Sequence, residues 1–209
     1  SQPMLEAMAR AETGDEQAGE DPTTNALCAR VADMLGKQAA LFLPSGTMCN
    51  QIALAVHCRP GDEVICEATS HIVNFEVGGA AAIAGAMINA IHGTRGMFDA
   101  DQLRAALRPA MRHVPKPKLA AVEQTSNLGG GSVWPLEQIE SVTSTARGHG
   151  LALHLDGARL WNASAASGVN EAVYAGHFDT VSVCFSKGLG APVGSVLAGS
   201  AGVSAKARG

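Results

Sequence analysis

Val183-Cys184-Phe185-Ser186-Lys187-Gly188-Leu189-Gly190-Ala191-Pro192-Val193-Gly194 is the stretch on which the reading of this chain turns. An apolar run of strand type ends, and a Gly-rich loop then presents a single lysine. Upstream, Leu153-His154-Leu155-Asp156-Gly157-Ala158-Arg159-Leu160 repeats the pattern with a carboxylate, an apolar strand closing on Asp156. Around these two stretches, apolar strands alternate with segments of helical periodicity. Strands are expected at 39–44, 63–66, 85–91, 119–123, 151–155, 180–184 and 195–197, and helices at 3–11, 25–36, 47–57, 99–107 and 135–148. Asp99 reads as an N-cap, Pro60-Gly61-Asp62 as a turn, and 14–24 as an acidic loop. The alternation implies βαβ units, hence an α/β fold with a mainly parallel sheet sandwiched by helices. Ligands of such sheets bind beyond the carboxyl ends of the strands, which is where Glu123, Asp156 and Lys187 fall.

Composition narrows the function classes. The 209 residues suit one large domain, and 46% apolar with 16% charged residues is a globular balance able to bury a sizeable core. A net charge of −4 gives no footing for nucleic acid. Lys116 and Lys118 lie between prolines and read as part of a solvated loop. No uncharged apolar run is long enough for a membrane helix, since 77–91 is interrupted by Gly78, Gly79 and Gly85. The N-terminus lacks the pattern of a signal peptide. Cys28, Cys49, Cys58, Cys66 and Cys184 are odd in number and form no CxxC, so reduced, buried thiols and a cytoplasmic location are expected. Cys184, in a strand, reads as packing rather than as a nucleophile.

A lysine at one strand end and an aspartate at another supply what pyridoxal phosphate chemistry needs. The Lys187 amine would form a Schiff base with the cofactor aldehyde, and the Asp156 carboxylate would keep the pyridine nitrogen protonated so that the ring accepts electrons. Ser45-Gly46-Thr47 follows a strand and opens a helix, where free N–H groups suit a phosphate and Gly46 permits close approach. The same tripeptide is also an ordinary N-cap, as Asp156 could be for the helix after it; it is their occurrence together with Lys187 that favours the cofactor reading. No GxxxxGK[ST], no GxGxxG after the first strand and no GxSxG is present. His57, His92, His113, His149, His154 and His177 show no metal-ligand spacing, and no metal site is expected.

The motifs HLDGAR and SVCFSKGLGAPVGSVLAGS, together with GEDPTTNAL, FLPSGTMCNQIAL, CEATSHIVNFEVGGAA and EQTSNLGGGSVWPLEQI, resemble those of the low-specificity threonine aldolases, in the same order and over nearly the whole chain. That family lies in the β-eliminating-lyase branch of fold-type I pyridoxal phosphate enzymes. The resemblance implies that residues 1–209 are the large, cofactor-binding domain, with a short N-terminal segment and a smaller C-terminal domain expected in the full-length protein. It implies cleavage of L-threonine or L-allo-threonine to glycine and acetaldehyde by a homodimer or homotetramer, acting on a small β-hydroxy amino acid with no nucleic acid or membrane partner. Lys187, His71 and Asp156 would be catalytic. Ser45, Gly46, Thr47, His71, Asp156, Arg159 and Lys187 would hold the cofactor, and Arg159 and Ser126 would meet the substrate. His71 would stack on the cofactor ring, with Phe75 and Glu76 supporting it.

Two positions depart from the family pattern. Ser126 stands where a histidine is common, and Ala18 stands where a tyrosine usually reaches the phosphate of a neighbouring subunit. Serine is a poor base, so the β-hydroxyl proton is expected to move through His71 or a water. The alternatives are another fold-type I lyase acting on a β-hydroxy or β-substituted amino acid, or a truncated domain that folds without turning substrate over.

Overall fold

The computed structural model describes residues 1–208. The chain runs α1 (Gln2–Arg10), α2 (Pro22–Met34), β1 (Ala39–Leu43), α3 (Gly46–His57), β2 (Asp62–Glu67), α4 (His71–Asn74), α5 (Gly79–Ala82) and β3 (Met87–Ile91). It continues through α6 (Ala100–Ala106), β4 (Lys116–Glu123), α7 (Leu136–Gly148), β5 (Ala152–Gly157), α8 (Leu160–Ser167), α9 (Glu171–Gly176), β6 (Thr180–Cys184), β7 (Ser195–Gly199) and α10 (Ala201–Arg208). One seven-stranded sheet has the order β1-β7-β6-β5-β4-β2-β3. All pairs are parallel except those of β7, which runs antiparallel to both β1 and β6. The α/β fold and mainly parallel sheet expected from the alternation are observed.

Several elements differ from expectation for identifiable reasons. Helix α2 begins at Pro22, ahead of residue 25, because Asp21 caps it by accepting the Thr24 N–H at 2.7 Å. Lys116 and Lys118 lie on β4, not in a loop: Asp62 of β2 pairs with Lys116, and Pro117 sits where the register between β2 and β4 shifts, so its missing N–H does not break the ladder. The short helices α4, α5, α8, α9 and α10 have too few turns to display a period.

Strand alternation sorts the core. Leu153 and Leu155 of β5, with Val181 and Val183 of β6, face α2 and α6–α9 in one large apolar cluster that includes Phe98, Trp134, Ile139, Leu160 and Tyr174. The opposite face, under α3, is different. Two separate apolar clusters lie there, one around Leu54, Val64, Cys66 and Leu119, the other around Leu41, Leu43, Cys49, Ala53 and Leu197. Between them the strands present His154 and Asp156 from β5 and Thr180 and Ser182 from β6, all buried.

The strand order places the carboxyl ends where a cleft must open. From β2 the chain moves outward to β3, then returns to the other side of β2 for β4, so the loops after β2 and β4 diverge. The Glu123 carboxylate bridges that divergence, accepting the His71 N–H at 2.9 Å and the Asn127 N–H at 3.1 Å.

Phe98 and Trp134 meet edge-to-face at 5.1 Å in the large cluster. Trp134→Ala and Phe98→Ala are each expected to cost about 3–5 kcal/mol, with a coupling of about 0.5–1.5 kcal/mol between them. Urea unfolding of both single variants and the double variant measures this.

Candidate active site

A cleft of about 280 Å³ lies at the carboxyl edge of the sheet, lined by residues from five separate stretches of chain, among them Gly46, His71, Asp156, Arg159 and Lys187. The registers bring these together. Glu123 pairs with Asp156 across β4 and β5, Asp156 with Ser182 across β5 and β6, and Cys184 ends β6 directly before the loop that carries Lys187.

Ser45 is the N-cap of α3, its hydroxyl accepting the Met48 N–H at 3.2 Å. Helix geometry leaves the N–H groups of Gly46 and Thr47 without intrahelical acceptors, directed at the cleft they line. A β-carbon on Gly46 would sit 2.8 Å from Cys184 Sγ and 3.9 Å from Lys187 Nζ, so only glycine admits this approach. The Lys187 amine donates to Cys184 Sγ at 3.3 Å, and the Ser195 hydroxyl donates to the same sulfur at 3.2 Å. Cys184 is thus more than packing: it is the contact that positions the lysine. Burial pushes the other site-side thiol, Cys49, up, as it does Cys66, and raises Cys58 to about 12, which makes these three poor nucleophiles.

Asp156 is the penultimate residue of β5, 5% exposed. One oxygen accepts the Ala158 N–H at 3.1 Å and the other accepts from the Asn50 amide at 2.7 Å. It is not the cap of α8, whose N-cap is Arg159. Among the described residues no carboxylate pairs with the Arg159 guanidinium, which lines the cleft as a free cation.

His71 opens α4, and its Nδ1 donates to Glu76 Oε1 at 2.9 Å. Glu76 is 4% exposed and receives further N–H groups from Asn50, at 2.8 Å, and from Gln51. The hydrogen bond to Glu76 raises the His71 pKa despite partial burial, with the charges of Asp156, Glu76 and Glu123 adding to the effect. With Nδ1 engaged, Nε2 is the ring atom left to accept a proton. Phe75 stands 5.5 Å from the imidazole, tilted by 41°. Burial, together with the Asp156 charge, lifts Glu123 to about 7.

Ser126 requires a correction. It is 1% exposed, does not line the cleft, and accepts the Gly129 N–H at 3.3 Å. Neighbouring Gly96 and Gly129 are so close that any β-carbon there would strike the Ser126 side chain. The tight Gly-rich loop holds this hydroxyl beneath the surface, and it is not among the residues that line the cleft. Ala18 lies on the exposed turn between α1 and α2.

Glu76 stands beside His71 as the resemblance implies, whereas Asn50 and His154 lie inside the resembled motifs without any role there. Asn50 sits inside an apolar helical run, and His154 alternates with leucines. The available signal was spacing: Asn50 and His57 are two helical turns apart, while His154/Asp156 and Thr180/Ser182 each repeat at the strand period. His71, Glu76 and Asp156 also offer three ligand atoms within 4.8 Å of one another. The Asn50 amide donates to both carboxylates, so N–H groups already satisfy the oxygens that a cation would use.

A family model described as beta-eliminating lyase matches residues 1–209. The chain belongs to the beta-eliminating lyase family. Among relatives within it, the probable low-specificity L-threonine aldolase 2 of Arabidopsis thaliana is 44% identical over 209 residues, covering 98% of this chain and 59% of that protein. The low specificity L-threonine aldolase of Escherichia coli is 40% identical over 200 residues, covering 95% of this chain and 59% of the relative. The solved structure of Leishmania major threonine aldolase superposes with a TM-score of 0.83 at 26% identity, covering 94% of this chain and 58% of that one. The present chain spans 48–59% of the length of the first curated relatives it matches. The superposition agrees with the α/β fold and mainly parallel sheet described above.

Burial drives His154 down to about 4 and lowers His57 as well. A histidine whose folded pKa lies below its unfolded value of about 6.5 contributes stability above pH 6.5 that is lost as pH falls toward the folded value. For His154 this amounts to up to about 3 kcal/mol between pH 6.5 and 4. Glu123, raised, has the opposite slope, losing stability as pH rises through about 7. Urea midpoints across this range should show a flatter acid limb in His154→Gln than in the parent; the difference isolates the imidazole from Glu123.

Proposed function

We propose that residues 1–209 form the pyridoxal phosphate-binding large domain of an aldolase that cleaves L-threonine or L-allo-threonine to glycine and acetaldehyde. The observation that supports this reading is the convergence, in one cleft, of an amine, a buried carboxylate, an unpaired guanidinium, an imidazole backed by a carboxylate, and a free helix N-terminus. The names of the relatives support the same substrate class.

The donor set fits the cofactor. Lys187 Nζ would carry it, the Gly46 and Thr47 N–H groups with the Ser45 and Thr47 hydroxyls would hold its phosphate, and Asp156 would accept the proton-bearing ring nitrogen. The Gly46 cradle, which a β-carbon would fill, leaves room beside the lysine. Once bound, pyridoxal phosphate supplies the electron sink for the pair released when a Cα–Cβ bond breaks.

The chain's own groups perform the rest. Arg159 binds the substrate carboxylate by charge-assisted hydrogen bonds. His71 covers the ring face and takes the β-hydroxyl proton at Nε2. Glu76 fixes the tautomer by accepting from Nδ1 and stabilises the imidazolium that results. With Ser126 buried, His71 or a water held by it would take this proton. In the free chain Lys187 Nζ rests against Cys184 Sγ; with pyridoxal phosphate bound, the same nitrogen would carry the cofactor.

We further place the protein in the cytoplasm, as a homodimer or homotetramer. The five unpaired cysteines support the first, and exposed Met48 and Ile83 on the α3 side support an apolar interface. No helix among the described residues is long and apolar enough to cross a membrane.

Acetaldehyde release from L-threonine by the full-length protein tests the reaction; its absence, with the cofactor bound, would remove threonine as substrate. Borohydride reduction followed by peptide mapping should place the pyridoxyl label on Lys187 and give none in Lys187→Ala. A label on Lys37, Lys116, Lys118 or Lys206 would overturn the assignment. Asp156→Asn should retain the cofactor but lower turnover by about a hundred- to a thousandfold, since an amide does not hold the pyridinium proton.

A further inference from the structure

The polar seam beneath α3 is continuous. From its outer end, His57 Nε2 lies 3.1 Å from Thr180 Oγ1, which is 2.9 Å from His154 Nδ1. His154 Nε2 is 3.0 Å from Asn50 Oδ1, which also accepts from the Ser182 hydroxyl at 3.1 Å. The Asn50 amide then donates to Glu76 and Asp156.

The direction of every hydrogen bond in this chain follows from its inner end. Two carboxylates accept only, so Asn50 must turn its NH₂ toward them and its carbonyl toward His154. His154 must therefore donate through Nε2. Its complete burial favours the neutral ring, so Nδ1 accepts, and the Thr180 hydroxyl is its donor. Thr180 in turn accepts from His57. One donor sense runs from the far end of α3 to the site, and hydrogen bonds aligned head to tail polarise one another.

We propose that Asn50 and His154 are positioning residues of this active site: the Asn50 amide holds the Glu76 and Asp156 carboxylates in fixed relation, and His154, donating through Nε2, holds Asn50. The inference rests on the reading of Asp156 as the partner of the cofactor ring nitrogen. Through one side chain, the group that faces the ring nitrogen and the group that orients His71 share a support. The charged and titratable groups facing His71 are Glu76 from the segment after α4, Asp156 from β5, Glu123 from β4, and Arg159 and Lys187 across the cleft.

The test uses the full-length protein. In Asn50→Leu and His154→Phe, the dissociation constant for pyridoxal phosphate should rise about ten- to a hundredfold, the loss expected for charge-assisted hydrogen bonds. The pH dependence of the bound cofactor's absorbance should shift in both. His154→Gln can still offer an N–H to Asn50 Oδ1 and should bind within about threefold of the parent, a rescue that hydrogen-bond donation explains and core packing does not. Asn50→Asp adds a third carboxylate beside Glu76 and Asp156, and NMR titration of the cofactor-free protein should show the His71 midpoint moved upward.

Far-UV circular dichroism establishes folding for each variant. Parent-like affinity and absorbance in folded Asn50→Leu and His154→Phe would overturn the inference, as would a folded His154→Gln that binds no better than His154→Phe. Should the two apolar variants fail to fold, Asn50→Asp decides, and an unmoved His71 midpoint overturns it. Asp156→Asn separates the two levels of the argument. If it too leaves the cofactor's absorbance unchanged, the reading of Asp156 has failed. If Asp156→Asn alone alters the absorbance, the support from Asn50 and His154 has failed.

Discussion

Glu76 and Asp156 are two carboxylates buried close to one another, and much of the structure follows from how they are tolerated. Removing a carboxylate from water costs several kcal/mol unless it is paired or hydrogen-bonded, and two side by side also repel. Here one amide, that of Asn50, donates to both. This settles the rotation of α3 about its axis, because Asn50 must point into the sheet between β5 and β6. The helix N-terminus is thereby aimed at the cleft, and Gly46 is brought against Cys184 and Lys187. A helix packed only by apolar contacts would be free to settle at several rotations for little cost; one keyed by hydrogen bonds is not.

The same requirement divides the core. On the far face of the sheet the apolar residues form a single continuous cluster. On the α3 face they form two, parted by the polar row from His57 to Asp156. That division gives up apolar burial in the middle of the molecule. From Thr180 to Asp156 the buried polar atoms of the row are partnered, while Gln51 Oε1 at its margin has no partner among the described residues; a hydrogen-bonded row specifies one arrangement where an apolar surface would accept neighbouring ones.

Much of this was legible from the residues. The order of strands and helices followed from period, and Asp156, Glu123 and Lys187 could be placed at strand ends because apolar runs stop there. Asp99 was readable as a cap, and the structure adds its partner Gln102 in a reciprocal pair. What escaped depended on register. Nothing local tells that Thr180 will face His57 across 123 positions of sequence, or that Asn50 will meet His154 across 104. Lys116 and Lys118 misled because flanking prolines suggested a loop, while the β2 register shift absorbs Pro117. Ser126 misled for another reason. A position in a motif gives the residue type but not its depth, and the close packing of Gly96 and Gly129 draws this hydroxyl under the loop.

On the proposed reaction, the buried position of Ser126 shifts weight onto His71, and the surroundings of His71 show how one imidazole can carry it. A base needs a lone pair toward the substrate and a partner on its other nitrogen to hold the tautomer and to stabilise the cation that forms. Glu76 meets both needs from the dry side, while Glu123 anchors the backbone of the same residue from the neighbouring strand. The ring is therefore fixed by one carboxylate through its side chain and by another through its main chain. Glu76 comes from the segment after β2 and Glu123 from the end of β4, so the imidazole-bearing residue is tied to both segments that diverge there. The placement of the imidazole is then a property of the sheet's strand order, and the short α4 that carries it need contribute little rigidity of its own.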